Sequence, residues 1–167
     1  MLLELAIMFV FPAVMVLAGA MDLFTMTIPN RITLILVAGF AVLAPLAGFG
    51  WETVALHVAA GAAMLVVGIA LFAAGWIGGG DAKLFAAASL WMGYGYVYQF
   101  AMVTALCGGA LTLLMLGLRM FPLPAALNGQ NWIARLHDAG RGVPYGVAVS
   151  AAGLIVYPHT SWIQAII

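Results

Sequence analysis

The chain has 167 residues, of which 66% are hydrophobic and 6% charged, with Lys+Arg 5 against Asp+Glu 5. A soluble domain carries about a quarter charged residues, so a water-facing surface is excluded and an integral membrane protein is implied. The zero net charge offers nothing to a polyanion, so no nucleic-acid partner is expected, and the lone Cys107 excludes an internal disulfide and any multi-cysteine zinc site.

A membrane-spanning helix needs about 17–25 apolar residues. The first such run covers residues 3–21. Its first charge is Glu4 and the first cation of the chain is Arg31, so the basic start of a secretory signal is missing. Ala18-Gly19-Ala20 imitates a cleavage site, but the segment is expected to be kept as a span. Asp22 follows, then residues 23–28 and the break at Pro29-Asn30-Arg31. The second span covers residues 32–49, and Trp51-Glu52-Thr53 reads as a short turn with Trp51 at the interface. The third covers residues 54–77, with His57 near its start.

Next comes Gly78-Gly79-Gly80-Asp81-Ala82-Lys83, and then an apolar run from 84 to 118 that is too long for one span. Gly93-Tyr94-Gly95-Tyr96, with Tyr98 and Gln99, reads as an aromatic interfacial turn. It splits the run into a short fourth span, residues 84–92 plus the tyrosine region, and a fifth over 100–118. A polar segment over 119–142 contains Pro122, Pro124, Asn128, Gly129 and Gln130. Within it Trp132, Ile133 and Leu136 share one helical face while Arg135 and Asp138 fall elsewhere. That pattern fits a short helix lying on the membrane, or a lid or substrate-docking element. The last span covers residues 143–162. Small residues at helical spacing, Gly75/Gly79 and Ala59/Ala63, are expected to let helices approach closely.

The expected fold is therefore all-α: a polytopic membrane bundle of about six transmembrane helices, forming one domain over residues 1–167. The cations agree with this count. Arg31, Lys83, Arg119, Arg135 and Arg141 all fall in loops on one side of a six-span chain, and the loops on the other side have none. The positive-inside rule makes that side cytoplasmic, with both termini outside. Asp22 and Asp81 then lie at cytoplasmic span ends.

The acidic residues separate by context. Glu4 and Glu52 sit at outer ends, and Asp138 stands among Arg135, His137 and Arg141, so solvated positions account for all three. Asp22 and Asp81 are each flanked by apolar segments, where a charge is costly and commonly functional. Taken singly, Asp22 could be a helix-end charge or a partner for Arg31, and Asp81 an N-cap for the fourth span. Taken together, two carboxylates on one membrane face, one preceded by three glycines, suit an aspartyl hydrolase. Such a pair shares a proton. The ionised member activates a water as general base, while the protonated member polarises the scissile carbonyl and protonates the leaving amine. No metal or cofactor is needed, and His57, His137 and His159 lack metal-ligand spacing. The glycines would let a substrate backbone approach closely. Lys83 either anchors to lipid phosphate or biases the pair electrostatically.

At these residues the chain resembles the type IV prepilin peptidases, a family of GxGD membrane aspartyl proteases. Gly78-Gly79-Gly80-Asp81-Ala82-Lys83-Leu84 matches the family's GxGDxK stretch. Asp22 with Ile28-Pro29-Asn30 matches its first aspartate and downstream IPN, and Val143-Pro144-Tyr145-Gly146 resembles a third, Pro-aromatic-Gly segment. The resemblance implies Asp22 and Asp81 as catalysts, with Gly78, Gly80, Lys83 and Pro144 shaping the site or contacting substrate. It implies a prepilin or pseudopilin substrate, whose basic leader is cut after a glycine at the cytoplasmic face of a bacterial inner membrane. The chain departs from larger members, which carry a paired-cysteine insertion and also methylate the new N-terminus. It is similar instead to the short peptidases of tight-adherence (Flp) pili, without methyltransferase activity. The competing readings are a small proton-coupled transporter using the two aspartates as a relay, and a structural subunit of a pilus or secretion apparatus.

Overall fold

A computed structural model describes residues 1–124 and 129–165. Among them there is no strand. The helices in chain order are α1 (Leu2–Thr25), α2 (Asn30–Leu46), α3 (Trp51–Ala73), α4 (Gly79–Arg119), α5 (Asn131–His137), α6 (Tyr145–Val156) and α7 (Ser161–Gln164). Three of them, α1, α3 and α4, are long and apolar enough to cross a membrane. The chain is a helical membrane bundle.

Helix α4 has 41 residues and would be about 60 Å long if straight. It is folded in half. Gly93 has φ 66° and ψ 178°, and the rings of Phe85 and Phe100 stack with centroids 5.4 Å apart. A straight helix would separate those two residues by roughly 22 Å. Two antiparallel arms result, α4a (residues 79–92) and α4b (residues 94–119). The expected division of this apolar run is therefore present, but one glycine makes the whole turn. Tyr94, Tyr96 and Tyr98 belong to the returning arm and not to a loop. Only glycine suits the spot: φ lies in the left-handed region, and a Cβ there would stand 2.6 Å from His57 Nε2.

Other boundaries shift for local reasons. Helix α1 continues to Thr25, so Asp22 lies in its last turn and not beyond the span. Met26, at φ 56° and ψ 29°, closes the helix by donating its N–H to the Asp22 carbonyl. Pro29 is the residue before α2, in keeping with the expected break. Helix α3 begins at Trp51, so the expected turn at 51–53 is its first turn. The last span is interrupted: α6 stops at Val156, a 3-10 turn carrying Pro158 follows, and α7 resumes at Ser161. The close helix approach also differs from expectation. Gly75 ends α3 with φ 74° and a Cβ there would meet nothing. Instead α3 meets α4a at Gly61 and Gly68, where an added Cβ would lie 3.2 Å from Leu90 Cβ and 3.1 Å from Ala82 Cβ.

Cationic charge and the buried aromatic cluster occupy opposite ends. Lys83 Nζ donates to Asn30 Oδ1 at 3.1 Å, next to Arg31. Arg135 donates to the Phe24 carbonyl at 2.9 Å, where the last carbonyls of α1 lack helical partners. Arg119 donates from Nε to the Leu136 carbonyl at 2.9 Å and from Nη2 to the Gly142 carbonyl. At the other end Phe11, Phe40, Trp91, Tyr157 and Trp162 are buried together. Trp91 Nε1 donates to the Leu36 carbonyl and Trp162 Nε1 to the Trp91 carbonyl, each at 2.9 Å. Tyr157 donates its hydroxyl to the Ile7 carbonyl at 2.8 Å. Apolar burial drives little association in lipid, so packing and such hydrogen bonds hold the helices together.

Candidate active site

Two helix N-termini converge at the charged end, and each holds one aspartate. Helix α4 begins at Gly79, so Asp81 is in its first turn and is not the N-cap. Its Oδ2 reaches back to accept the Gly78 N–H at 3.1 Å. Helix α6 begins at Tyr145 after Pro144, which has no side-chain oxygen to cap it. The missing cap comes from a distant part of the chain: the Gly146 N–H donates to Asp22 Oδ2 at 2.7 Å. Both carboxylates thus sit where free backbone N–H groups and the helix dipole attract negative charge.

Both side chains are removed from the surface, with Asp22 4% and Asp81 9% exposed. They line one cleft of about 570 Å³, together with Trp76, Gly78, Thr112, Arg141 and Tyr145. Among the described residues, no group of three His, Cys, Asp or Glu gathers to form a metal-ligand set. The carboxylates stand as a pair.

The glycines of the motif have unequal duties. A Cβ at Gly78 would lie 2.9 Å from Asp81 Oδ2, and one at Gly80 3.3 Å from Ile28 Cβ. At Gly79 it would meet only the Phe72 ring, at an ordinary 3.5 Å. The first and third positions are tight and the second is free. Gly146 is tighter than these three: its Cβ would be 2.6 Å from Ile28 Cδ1 and 2.8 Å from Asp22 Oδ2. Ile28 is therefore wedged between Gly80 and Gly146, and so between α4, which carries Asp81, and α6, which binds Asp22.

Of the residues expected at the site, Asp22, Asp81 and Gly78 line the cleft. Gly80 lies behind it against Ile28. Pro144 is fully buried and precedes α6. Lys83 points elsewhere: it is exposed and bonded to Asn30, which ties the GxGDxK stretch to the IPN stretch. Sequence reasoning missed Gly146, Ile28, Thr112 and Arg141. The first two belong to motif segments that were noticed, but a glycine N–H and an isoleucine methyl carry no chemical signature. Arg141 lies on the rim, 3.4 Å from Asp138.

The short helix expected in the polar segment is α5, and it does not float free on the membrane. Trp132 packs edge-on against Phe24 with ring centroids 5.1 Å apart, and the Arg135 and Arg119 bonds fasten it to α1 and α4b. Asn128, expected in the same segment, lies outside the described residues.

A family model described as the type IV leader peptidase family matches residues 9–113. The match takes in Asp22, the IPN stretch and Asp81, and ends before Val143. Neither a curated protein nor a solved structure matches the chain.

Proposed function

Because the chain belongs to the type IV leader peptidase family, we propose that it is an aspartyl endopeptidase acting through Asp22 and Asp81 on the leaders of prepilin-like proteins. The observation that carries this reading is the cleft itself. Two buried carboxylates from separate helices line it, each held by a glycine N–H.

The chemistry follows from one proton shared by the pair. The ionised carboxylate takes a proton from a water as the water oxygen bonds to the scissile carbonyl carbon. The protonated carboxylate gives its proton to the carbonyl oxygen, forming a tetrahedral diol. The first carboxylate then gives the proton it took from water to the amide nitrogen, the C–N bond breaks as the carbonyl re-forms, and a diol hydroxyl proton passes to the second carboxylate, which restores the pair. No metal or cofactor enters this scheme. Gly78 and Gly146 act by fixing the carboxylates, since an orientation error of about 1 Å costs on the order of a hundredfold in rate.

The reading extends to topology. All five cations lie at the cleft end or close to it in sequence, which supports a cytoplasmic site in a bacterial inner membrane. A basic leader would be retained on the same side. Only Met26 to Pro29 separate α1 from α2, so a catalytic insertion has no room there, in keeping with a single-domain peptidase over residues 1–167 that lacks methyltransferase activity.

The test is co-expression with a prepilin-like substrate. Wild type should shorten the substrate, while Asp22→Asn and Asp81→Asn should not, with membrane insertion equal in all three. Cleavage surviving in either variant, or a substrate left whole by wild type, would defeat the proposal. Proton flux abolished by Asp22→Asn would point to transport instead.

A further inference from the structure

Beside the catalytic cleft a second cavity of about 320 Å³ opens on the flank of the bundle. It shares Asp81, Trp76 and Tyr145 with the cleft. From there it continues along α4b past Gly109, Ala105 and Ala101, with Phe85 and Val149 at its back. Ala105 and Gly109 are exposed, so the groove faces the lipid sideways. A Cβ added at Gly109 would meet nothing within 4 Å. Two other apolar grooves, between α2, α3 and α4a, and a third between α4b and α5 reach neither aspartate.

A spare hydrogen-bonding group is buried in the wall of the groove. Thr112 donates back to the Gly108 carbonyl at 2.8 Å and Ser89 to the Phe85 carbonyl at 2.7 Å. Thr104, which lines the groove, has a buried hydroxyl oxygen with no partner among the described residues. Such a group is costly in an apolar setting unless something completes it.

A peptide bond held at Asp81 has chain on both sides. One side can leave through the polar cleft. The other needs a path, and this groove is the apolar path that starts at Asp81. Small residues on α4b allow a second backbone to come close. From Gly109 to Ala101 the groove runs about 12 Å, which accommodates three or four extended residues.

Building on the peptidase reading, we propose that this flank groove docks the apolar segment of the substrate that adjoins the scissile bond, entering sideways from the bilayer. Ala105 and Gly109 limit the size of the side chains it accepts, and a turn of the Thr104 side chain brings its unpartnered hydroxyl to the incoming backbone.

The test uses the full-length protein in lipid nanodiscs and two substrates. They differ only in carrying Phe or Ala at the two positions that follow the scissile bond on its apolar side. Ala105→Leu should lower kcat/KM for the Phe substrate relative to the Ala substrate by about tenfold or more. Val58→Phe, in a groove remote from the aspartates, should leave that ratio unchanged. A photo-crosslinking residue placed at position 105 in the Asp81→Asn background should capture substrate, and one at position 58 should not. If wild type cuts both substrates, an unchanged ratio in Ala105→Leu with no capture at 105 overturns the groove and leaves the peptidase reading intact. If wild type cuts neither, the peptidase reading fails and this inference with it.

Discussion

The two ends of the bundle solve opposite problems with the same device. At the aromatic end, Trp91, Trp162 and Tyr157 send polar hydrogens from side chains to backbone carbonyls, and all three side chains are buried. At the charged end, Gly78 and Gly146 send backbone hydrogens to carboxylates, and the region is an open cleft. Each end needs a glycine at its closest point: Gly93 against His57, and Gly146 against Asp22 and Ile28. The difference lies in what is being held. One end fixes helices to each other, and the other fixes two acids that would repel if both were charged. Damage at the first should appear as lost stability, and damage at the second as lost chemistry.

The largest effect should come from removing an ionisable group at the cleft. Asp22→Asn or Asp81→Asn is expected to lower leader cleavage by about a thousandfold or more, with the thermal midpoint in detergent nearly unchanged. A comparable fall in thermal midpoint would mean the acids hold the fold and do not separate from it. Gly146→Ala comes next. Its methyl group would strike Ile28 Cδ1 and Asp22, and a misplaced carboxylate should cost roughly a hundredfold in cleavage. Adding Ile28→Val, which deletes that Cδ1, should recover part of the loss. No recovery would remove Ile28 from the account.

Gly93→Ala should do the reverse. It forces alanine into a left-handed conformation beside the His57 ring, at a cost of about 2 kcal/mol or more in stability. Cleavage per folded molecule at low temperature should stay close to wild type. A selective loss of cleavage would show that the two ends are coupled. The smallest effect is expected from Lys83→Met. It removes one exposed hydrogen bond to Asn30, worth about 0.5 kcal/mol, and should change cleavage no more than a few-fold. A large loss of cleavage would show that Lys83 shapes the site or contacts substrate.

The charged end was legible because charges are so few. Asp22 and Asp81 stood out against apolar neighbours, and the parity of five cations called for a division of the long apolar run, which Gly93 makes, although the turn was drawn too wide. The aromatic end was not legible. Trp162 was expected as a residue closing the last span and is fully buried, because an aromatic in a membrane chain reads the same whether it meets lipid, interface or core. The place of Lys83 was hidden for a related reason: its hydrogen bond to Asn30 depends on a contact between distant segments. Gly146 marks the same boundary. Its motif was visible, but that α6 would take its cap from Asp22 depends on two helices meeting, which no spacing along the chain reveals.

The single-glycine reversal at Gly93 leaves α4a about 20 Å long, and α6, with 12 residues, is about 18 Å. A typical bilayer has a hydrocarbon core of about 30 Å. Neither spans that depth alone, and both are mostly buried, so lipid meets the longer helices around them. A hydrolytic water would reach the acids, held at the N-termini of these two short helices, through the open cleft.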